Sequence, residues 1–181
     1  MEYVDEIDEN NNLTHKSFPK DDFHKLGKWY REVMGFVINT NGEVLIQRRS
    51  INKKGKPLEW EVCTGHVSAG ELPEDAMIRE FKEEIDLNIT KKELIPLKIT
   101  KTKDVLKKGY HYVFSYVYLV KTNKKIEEFH MQKEEVDQIK YIKIEELKKM
   151  IQNRQKDLCL LVYEDIPQII DKIINLSKSK D

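Results

Sequence analysis

The chain has 181 residues, a length typical of one compact domain, and we expect a single domain over residues 1–181. Hydrophobic residues make up 39% of the chain, which is enough to form a core. The 32 basic and 32 acidic side chains give a formal net charge of zero. Because proteins that bind nucleic acid nonspecifically carry a basic surplus, the composition predicts no nucleic-acid partner.

The cysteine content and the hydropathy indicate the compartment. Cys63 and Cys159 are too few for a disulfide framework and their separation suits no zinc motif, so both are expected to be small buried hydrophobic residues. Residues 1–6 are acidic and lack the apolar run of a signal peptide. No stretch approaches the roughly 18 apolar residues of a membrane span. We therefore expect a cytoplasmic protein with no membrane partner.

The predicted elements follow a mixed order along the chain. Strands are predicted over residues 3–7, 29–38, 43–48, 60–64, 94–103, 110–121 and 139–144. Helices are predicted over residues 19–26, 73–85, from about 145, and 166–176, so that the C-terminal helices occupy about 145–177. One helix among the strands and further helices at the end predict an α/β sandwich, whose topology periodicity alone does not determine.

Glycine and proline residues mark the ends of several elements. Gly27 suits the C-terminal end of the first helix, and Gly42 suits the turn of a hairpin between residues 38 and 43. Pro73 suits the first turn of a helix. Pro96 predicts that its strand lies at an edge or is irregular, because proline cannot donate to a neighbouring strand.

Aromatic residues alternate along the strand predicted over residues 110–121. A period of two places five of them on one face, namely Tyr110, Tyr112, Phe114, Tyr116 and Tyr118. We expect a helix to cover this face of the sheet. A wall of rings on which a base stacks is the alternative.

Three glutamates in the predicted helix share one face, because Glu80, Glu83 and Glu84 are three and four residues apart. Like charges at this spacing cost roughly 0.2–0.5 kcal/mol per pair in an isolated helix, and a bound cation would reverse that cost. Hard oxygen ligands suit Mg²⁺ or Mn²⁺. Arg79, four residues before Glu83, is expected to pin its carboxylate. Taken alone, a glutamate-rich turn is more often a solvated helix face.

The wider segment resembles the Nudix box, Gly-x5-Glu-x7-Arg-Glu-U-x-Glu-Glu-x-Gly-U, in which U is apolar. The matching residues are Gly65, Glu71, Arg79, Glu80, Phe81, Glu83, Glu84 and Leu87. A motif of this length is specific, so the glutamate cluster is better interpreted as part of an active site. The resemblance implies a Nudix-type α/β/α sandwich with a mixed sheet, in which residues 65–87 form a loop, a helix and a second loop on that sheet.

The same resemblance assigns roles within the box. It implies metal binding, to Mg²⁺ or Mn²⁺, by Glu80, Glu83, Glu84 and Gly65. Glu83 is our first choice for the catalytic residue that deprotonates the attacking water, with Arg79 as a catalytic residue that orients the carboxylates. Glu71 is expected either to have a structural role or to support the metal ligands. One position departs from the box, since Asp86 replaces the last glycine. Aspartate tolerates positive φ, so we expect Asp86 to end the helix in that conformation.

Similarity beyond the box points to the branch of the superfamily close to isopentenyl-diphosphate isomerase, over about residues 3–150. It is carried by Val44 to Ser50, Pro57, Trp60 and Thr64 to Val67. Within this similarity, we expect Arg48, Arg49 and His66 to bind the substrate. A solvated strand position explains one of the arginines equally well, and an exposed loop position explains His66 equally well.

The predicted function is hydrolysis of a diphosphate linkage in a small-molecule substrate. By resemblance the protein is a pyrophosphohydrolase, and a nucleoside diphosphate derivative is the usual substrate of the family. An isopentenyl-diphosphate isomerase is the alternative, and a non-catalytic nucleotide-binding module is a third class. Formation of a homodimer is left open.

The isomerase alternative needs groups that the matching positions lack. Thr64 stands where isomerases of this branch have a cysteine. The adjacent Cys63 is expected to face away from the site, because neighbouring strand residues point to opposite faces. Residues 110–118 contain no glutamate, and Tyr30 stands where a second histidine would follow His24. We therefore predict no isomerase activity.

Overall fold

The computed structural model describes residues 2–106, 109–159 and 164–178. Its strands are β1 Tyr3–Ile7, β2 Leu13–Pro19, β3 Trp29–Ile38, β4 Glu43–Arg49, β5 Trp60–Glu61, β6 Cys63–His66, β7 Ile95–Leu106, β8 Gly109–Lys121 and β9 Val136–Lys143. Its α-helices are α1 Phe23–Leu26, α2 Pro73–Ile85, α3 Ile144–Gln152 and α4 Ile166–Lys178. Within these ranges, no helix is long and apolar enough to cross a membrane.

The strands form one mixed sheet in which β3 is central. β1, β4 and β6 pair with β3 in antiparallel orientation, and β8 pairs with it in parallel. β3 and β4 pair only at Val37–Leu45 and Ile38–Val44, and then diverge. Residues 60–66 fill the gap between them, since β5 pairs with β4 and β6 pairs with β3. Side chains of residues 60–66 can therefore lie between β3 and β4.

Helices cover both faces of the sheet. α2 packs on one face through Ala76, Met77, Phe81 and Ile85, in a cluster with Val33, Val37 and Tyr118. α3 and α4 pack on the other face through Ile144, Leu147, Ile169, Ile170 and Ile173, in a cluster with Met34, Phe36, Ile46 and Leu119. The predicted α/β/α sandwich with a mixed sheet is therefore confirmed.

Two features of the strands differ from the sequence-based expectation. β2 was not predicted, because it pairs with β1 at the edge of the sheet and most of its side chains are exposed, so no buried stripe marks it. The single strand predicted over residues 60–64 is wrong, since β5 and β6 are separate and pair with different neighbours. The irregularity predicted at Pro96 is confirmed by a register shift between Pro96 and Lys98.

The aromatic residues of β8 have different neighbours along the strand. Tyr118 is buried in the cluster beneath α2. Tyr112 and Phe114 instead lie beside Trp29, with ring centroids 5.3 Å from it in each case. Lys101 Nζ lies 4.9 Å from the centroid of the Trp29 ring. The expectation of a helix-covered face is confirmed for Tyr118 and wrong for Tyr112 and Phe114.

Gly35 of β3 lies where α2 crosses the sheet. A Cβ atom at this position would be 2.2 Å from Cζ of Phe81 and 2.8 Å from Cε of Met77. Both of these side chains are fully buried, so neither has room to move away. Gly35→Ala is therefore expected to lower the free energy of unfolding by about 1–3 kcal/mol, the usual cost of overpacking a core, as measured by urea denaturation.

Gly55→Ala is the matched control for this substitution, because nothing lies within 4 Å of a Cβ atom at Gly55. We expect its free energy of unfolding to equal that of the wild-type protein. If Gly35→Ala were as stable as Gly55→Ala, the close approach of α2 to β3 would not be required for stability.

Candidate active site

Residues 65–87, which match the box, place their carboxylates beside the gap between β3 and β4. β6 ends at His66, and α2 begins at Pro73 after a loop. The buried side of α2 carries Glu80 and Glu84, which are 9% and 4% exposed. The Glu83 side chain is 52% exposed. The three glutamates are thus close in space along α2, but only Glu83 extends well into solvent.

Arg79 links several of these groups. Its Nε and Nη2 atoms donate to Oε1 and Oε2 of Glu71, each at 3.0 Å. Nη1 donates to Oε1 of Glu80 at 2.7 Å and to Oε2 of Glu83 at 3.1 Å. Nη2 also donates to the backbone oxygen of His66 at 3.0 Å. The expected contact between Arg79 and the Glu83 carboxylate is present, and Glu71 holds the guanidinium in place.

Gly65 lets Glu80 lie directly against the backbone of β6. A Cβ atom on Gly65 would be only 2.0 Å from Cδ of Glu80. The atoms in the way belong to the flexible end of a side chain. A substitution at Gly65 would therefore displace the Glu80 carboxylate from its place against β6.

Burial makes the charged forms of the two inward-facing carboxyls unfavourable. It raises the pKa of Glu80 to about 7, an effect that Arg79 opposes and the charge of Glu83 reinforces. It raises the pKa of Glu84 to about 8, with further contributions from the charges of Glu61 and Glu80. Such desolvated carboxylates gain strongly from a nearby cation, because the cation replaces the stabilisation that water no longer provides.

Two residues that the sequence analysis did not assign to the site hold Glu84. Nε2 of Gln47 donates to Oε2 of Glu84 at 2.7 Å, and Sγ of Cys63 donates to the same oxygen at 3.2 Å. The prediction that Cys63 faces away from the site is therefore wrong. Cys63 and Thr64 do point to opposite faces, but α2 and its glutamates pack on the face to which Cys63 points. Burial, followed by the charge of Glu84, raises the pKa of the Cys63 thiol.

The two arginines predicted to bind substrate point to opposite faces of β4. Nη1 of Arg49 donates to both carboxylate oxygens of Glu61 at 2.8 and 2.7 Å. The two side chains are only 17% and 6% exposed, so this ion pair is largely buried. Nε of Arg48 donates to Oδ2 of Asp137 at 2.7 Å, nearer the surface. Arg49 thus neutralises a carboxylate that neighbours Glu84, and phosphate binding by either arginine stays a prediction.

His66 lies on the face of the sheet opposite to α2. Its ring stacks on that of Tyr30 with centroids 5.1 Å apart, and burial lowers its pKa to about 3, so the imidazole is neutral. Glu32 shares this face and accepts a hydrogen bond from Oγ of Ser115 at 2.6 Å. The sequence analysis missed this buried carboxylate, although its place directly before the apolar residues 33–38 of β3 is a signal. Substrate binding by His66 stays a prediction.

The side-chain arrangement does not contain a complete metal cage. Among the residues that the structure describes, no group of three or more histidine, cysteine, aspartate or glutamate side chains has a geometry that could by itself hold a metal ion. Arg79 engages one oxygen of Glu80 and one of Glu83. Water or substrate atoms would be needed to complete any coordination shell here.

Asp86 ends α2 with φ 52° and ψ 39°, which confirms the predicted left-handed conformation. Its side chain pairs with Lys82 and His130 at the surface. Asp86→Gly is expected to raise the Tm by about 2 °C, because glycine adopts this conformation without a Cβ penalty and the negative charge at the helix C-terminus is removed. Asp86→Ala also removes the charge but keeps the Cβ penalty of the left-handed conformation, so its Tm should be below that of Asp86→Gly. A higher Tm for Asp86→Ala than for Asp86→Gly in thermal denaturation would contradict this account.

The fold and the box together define the class of protein. The α/β/α sandwich places a glutamate-bearing helix against a split mixed sheet, with an arginine that holds two of the glutamates. Residues 28–161 match the NUDIX domain family. The chain therefore belongs to the Nudix family.

Relatives along most of the chain agree with this assignment. An uncharacterised Nudix hydrolase of Clostridium acetobutylicum is 29% identical over 84% of this chain and 75% of its own length. Nudix hydrolase 3 of Arabidopsis thaliana is 30% identical over 83% of this chain, which spans only 20% of that longer protein. A crystal structure of a Deinococcus radiodurans protein matches 95% of this chain and 99% of its own, with a TM-score of 0.71 and 21% identity. This likeness shows the fold.

Two other similarities involve proteins whose names include an activity. An isopentenyl-diphosphate Δ-isomerase of Shigella flexneri is 40% identical over 62 residues, which are 33% of this chain and 34% of that protein. A bifunctional NMN adenylyltransferase/ADP-ribose pyrophosphatase of Francisella tularensis, solved with AMP and a manganese ion, has a TM-score of 0.57 and 23% identity. The match covers 81% of this chain and 41% of the Francisella chain. The first similarity supports the resemblance to the isomerase branch over a third of the chain.

Proposed function

We propose that this protein is a divalent-metal-dependent hydrolase that cleaves a diphosphate linkage in a nucleoside diphosphate derivative. The observation that carries the proposal is the arrangement of Glu80, Glu83 and Glu84 beside the gap in the sheet. Arg79 holds the first two, and Glu84 is buried next to them. Membership of the Nudix family supports this assignment.

Mg²⁺ or Mn²⁺ fits the donors of this site. Carboxylate oxygens are the ligands these ions prefer, and Glu80 lies in a space at Gly65 that a single Cβ atom would fill. Mg²⁺ commonly uses one or two protein carboxylates and completes its shell with water and substrate phosphates, so a full protein cage is not required. Glu80, Glu83, Glu84 and the backbone oxygen of Gly65 would hold the ion. When bound, it would polarise a phosphoryl oxygen and acidify a coordinated water.

The residues of the chain then have separate tasks. Arg79, fixed by Glu71, restricts the rotamers of Glu80 and Glu83. Glu83 takes the proton of the attacking water, a role that suits it because its side chain is half exposed. Glu84 lies deeper and contributes negative charge for the cation. Positioning of this kind limits the reorganisation needed during the reaction.

The substrate class is proposed on the family relation. The Francisella neighbour is an ADP-ribose pyrophosphatase by name, and a nucleoside diphosphate derivative is accordingly the first class to test. On this proposal the neutral His66 and the surface Arg48 are candidate contacts to the substrate. Arg49 is a weaker candidate, because both oxygens of Glu61 already accept from it.

A screen for hydrolysis, in which chromatography separates the monophosphate products from the substrate, tests the proposal. Purified protein is incubated with nucleotides, nucleotide sugars, and coenzyme and prenyl diphosphates, each with Mg²⁺, with Mn²⁺ or with EDTA. We expect hydrolysis of at least one nucleoside diphosphate derivative, dependent on the metal and abolished by EDTA. Turnover that is unaffected by EDTA, or hydrolysis confined to substrates without a diphosphate, would contradict the proposal.

An isomerase of isopentenyl diphosphate is the second candidate, because Glu32 supplies a carboxylate on the face of Thr64 and His66. We nevertheless expect no conversion of isopentenyl diphosphate to dimethylallyl diphosphate in the presence of Mg²⁺, measured by chromatography. The Thr64 hydroxyl is too weak an acid to replace a thiol, and the Cys63 thiol is directed to Glu84 on the other face. Robust conversion would show that another acid performs the proton transfer.

A further inference from the structure

Glu84 is held by strands on both sides of the gap in the sheet. Gln47 belongs to β4 and Cys63 belongs to β6. Both donate to Oε2 of Glu84, at 2.7 and 3.2 Å. Within the described part of the chain, no hydrogen bond to Oε1 of Glu84 is present. Two independent donors therefore restrain one oxygen and leave the other available.

We propose that Gln47 and Cys63 are positioning residues that hold Oε2 of Glu84 so that Oε1 faces the divalent cation. This inference rests on the metal site proposed above. It adds two residues outside the Nudix box to the set that determines metal affinity. Groups that orient a metal ligand typically change metal affinity or activity by 10–100-fold when they are removed, which is roughly the effect expected here.

Gln47 is suited to this task because its amide can be oriented in only one way. The side chain is 3% exposed and donates to Glu84, and Gln47 is the cross-strand partner of Glu61 in the pairing of β4 with β5. A carboxylate accepts hydrogen bonds and repels a carbonyl oxygen. The NH₂ group must therefore face the Glu84 carboxylate, and this contact determines the orientation of the Gln47 amide.

The donors to Glu84 are uncharged, and this matters for a cation site. Arg79 holds one oxygen of Glu80 and one of Glu83 in the same way, but with a positive charge. A second cation at Glu84 would repel a divalent ion and weaken its binding. An amide and a thiol restrain the deepest carboxylate without that repulsion. The three glutamates are thus each held through one oxygen, and only Glu84 is held by neutral groups.

Binding of Mn²⁺ alone to the substrate-free protein tests the proposal, by calorimetry or by electron paramagnetic resonance. Gln47→Met keeps the length of the side chain and removes its donor, and we expect the dissociation constant for Mn²⁺ to rise by about 10-fold or more. Cys63→Ala should raise it by a smaller factor, because a thiol is a weak donor. Cys63→Ser should restore binding, since the hydroxyl also donates. Gln138→Met, at an exposed position on β9, is the matched control and should bind Mn²⁺ like the wild type.

A second measurement separates positioning from loss of structure. The Mn²⁺ concentration for half-maximal hydrolysis should rise by the same factor as the dissociation constant, and the far-ultraviolet circular dichroism spectrum of each variant in EDTA should match that of the wild type. An unchanged dissociation constant in both Gln47→Met and Cys63→Ala would overturn the positioning role and leave the proposed hydrolase intact. Absence of Mn²⁺ binding by the wild-type protein would overturn the metal site and the positioning role together.

Discussion

Glu83→Gln is expected to reduce kcat by a factor on the order of 10² or more, the usual loss when a catalytic acid–base group is removed. Glutamine preserves the size of the side chain, and its carbonyl oxygen can still accept a hydrogen bond from Arg79. It cannot take a proton from water. Because the Glu83 side chain is 52% exposed, the substitution should leave the Tm unchanged. The measurement is kcat at saturating substrate and Mg²⁺, with thermal denaturation of the same preparation.

Glu146→Gln is the matched control, because Glu146 is exposed on α3, which packs on the face of the sheet opposite to α2. Its kcat should equal that of the wild type. Unchanged turnover in Glu83→Gln with an intact Tm would remove Glu83 from the proposed mechanism. Glu80 and Glu84, the other two glutamates of the cluster, would then be tested as the base.

Arg49→Met is expected to lower the free energy of unfolding by about 3–5 kcal/mol, because it leaves a buried carboxylate without its counter-ion. Both oxygens of Glu61 accept from Nη1 of Arg49, and burial already raises the pKa of Glu61 although Arg49 opposes this. Glu61 in turn lies close enough to Glu84 for its charge to raise the pKa of that residue. Urea denaturation at neutral pH measures the effect.

Arg48→Met provides a control at the adjacent position. The ion pair of Arg48 with Asp137 is more exposed, so the same substitution should cost less than about 1 kcal/mol. Combining Arg49→Met with Glu61→Leu should restore much of the stability, since no uncompensated charge then remains. Arg49→Met could instead have the stability of the wild type and a higher KM. Arg49 would then be chiefly a substrate contact, as the similarity of the chain to the isomerase branch predicts, and not chiefly the counter-ion of Glu61.

Local patterns in the sequence determined a large part of the fold. The helix over residues 73–85 and the left-handed end at Asp86 were predicted, because helix periodicity, an N-terminal proline and a residue that tolerates positive φ act over a few residues. The contact between Arg79 and Glu83 followed from their separation of four on one helix. The box also identified the carboxylate cluster, since its spacing is a property of the chain alone.

The partners of those carboxylates were decided only by the tertiary structure. Alternation along a strand showed that Cys63 and Thr64 point to opposite faces, but not which face α2 covers, and so the direction of Cys63 was predicted wrongly. Gln47 and the pair of Arg49 with Glu61 reach the site because β3 and β4 diverge and residues 60–66 enter between them. Such contacts join residues distant in the chain, and local periodicity carries no information about them. The sequence by itself thus determined which groups carry the charge, and the packing of α2 on the split sheet determined which groups hold them.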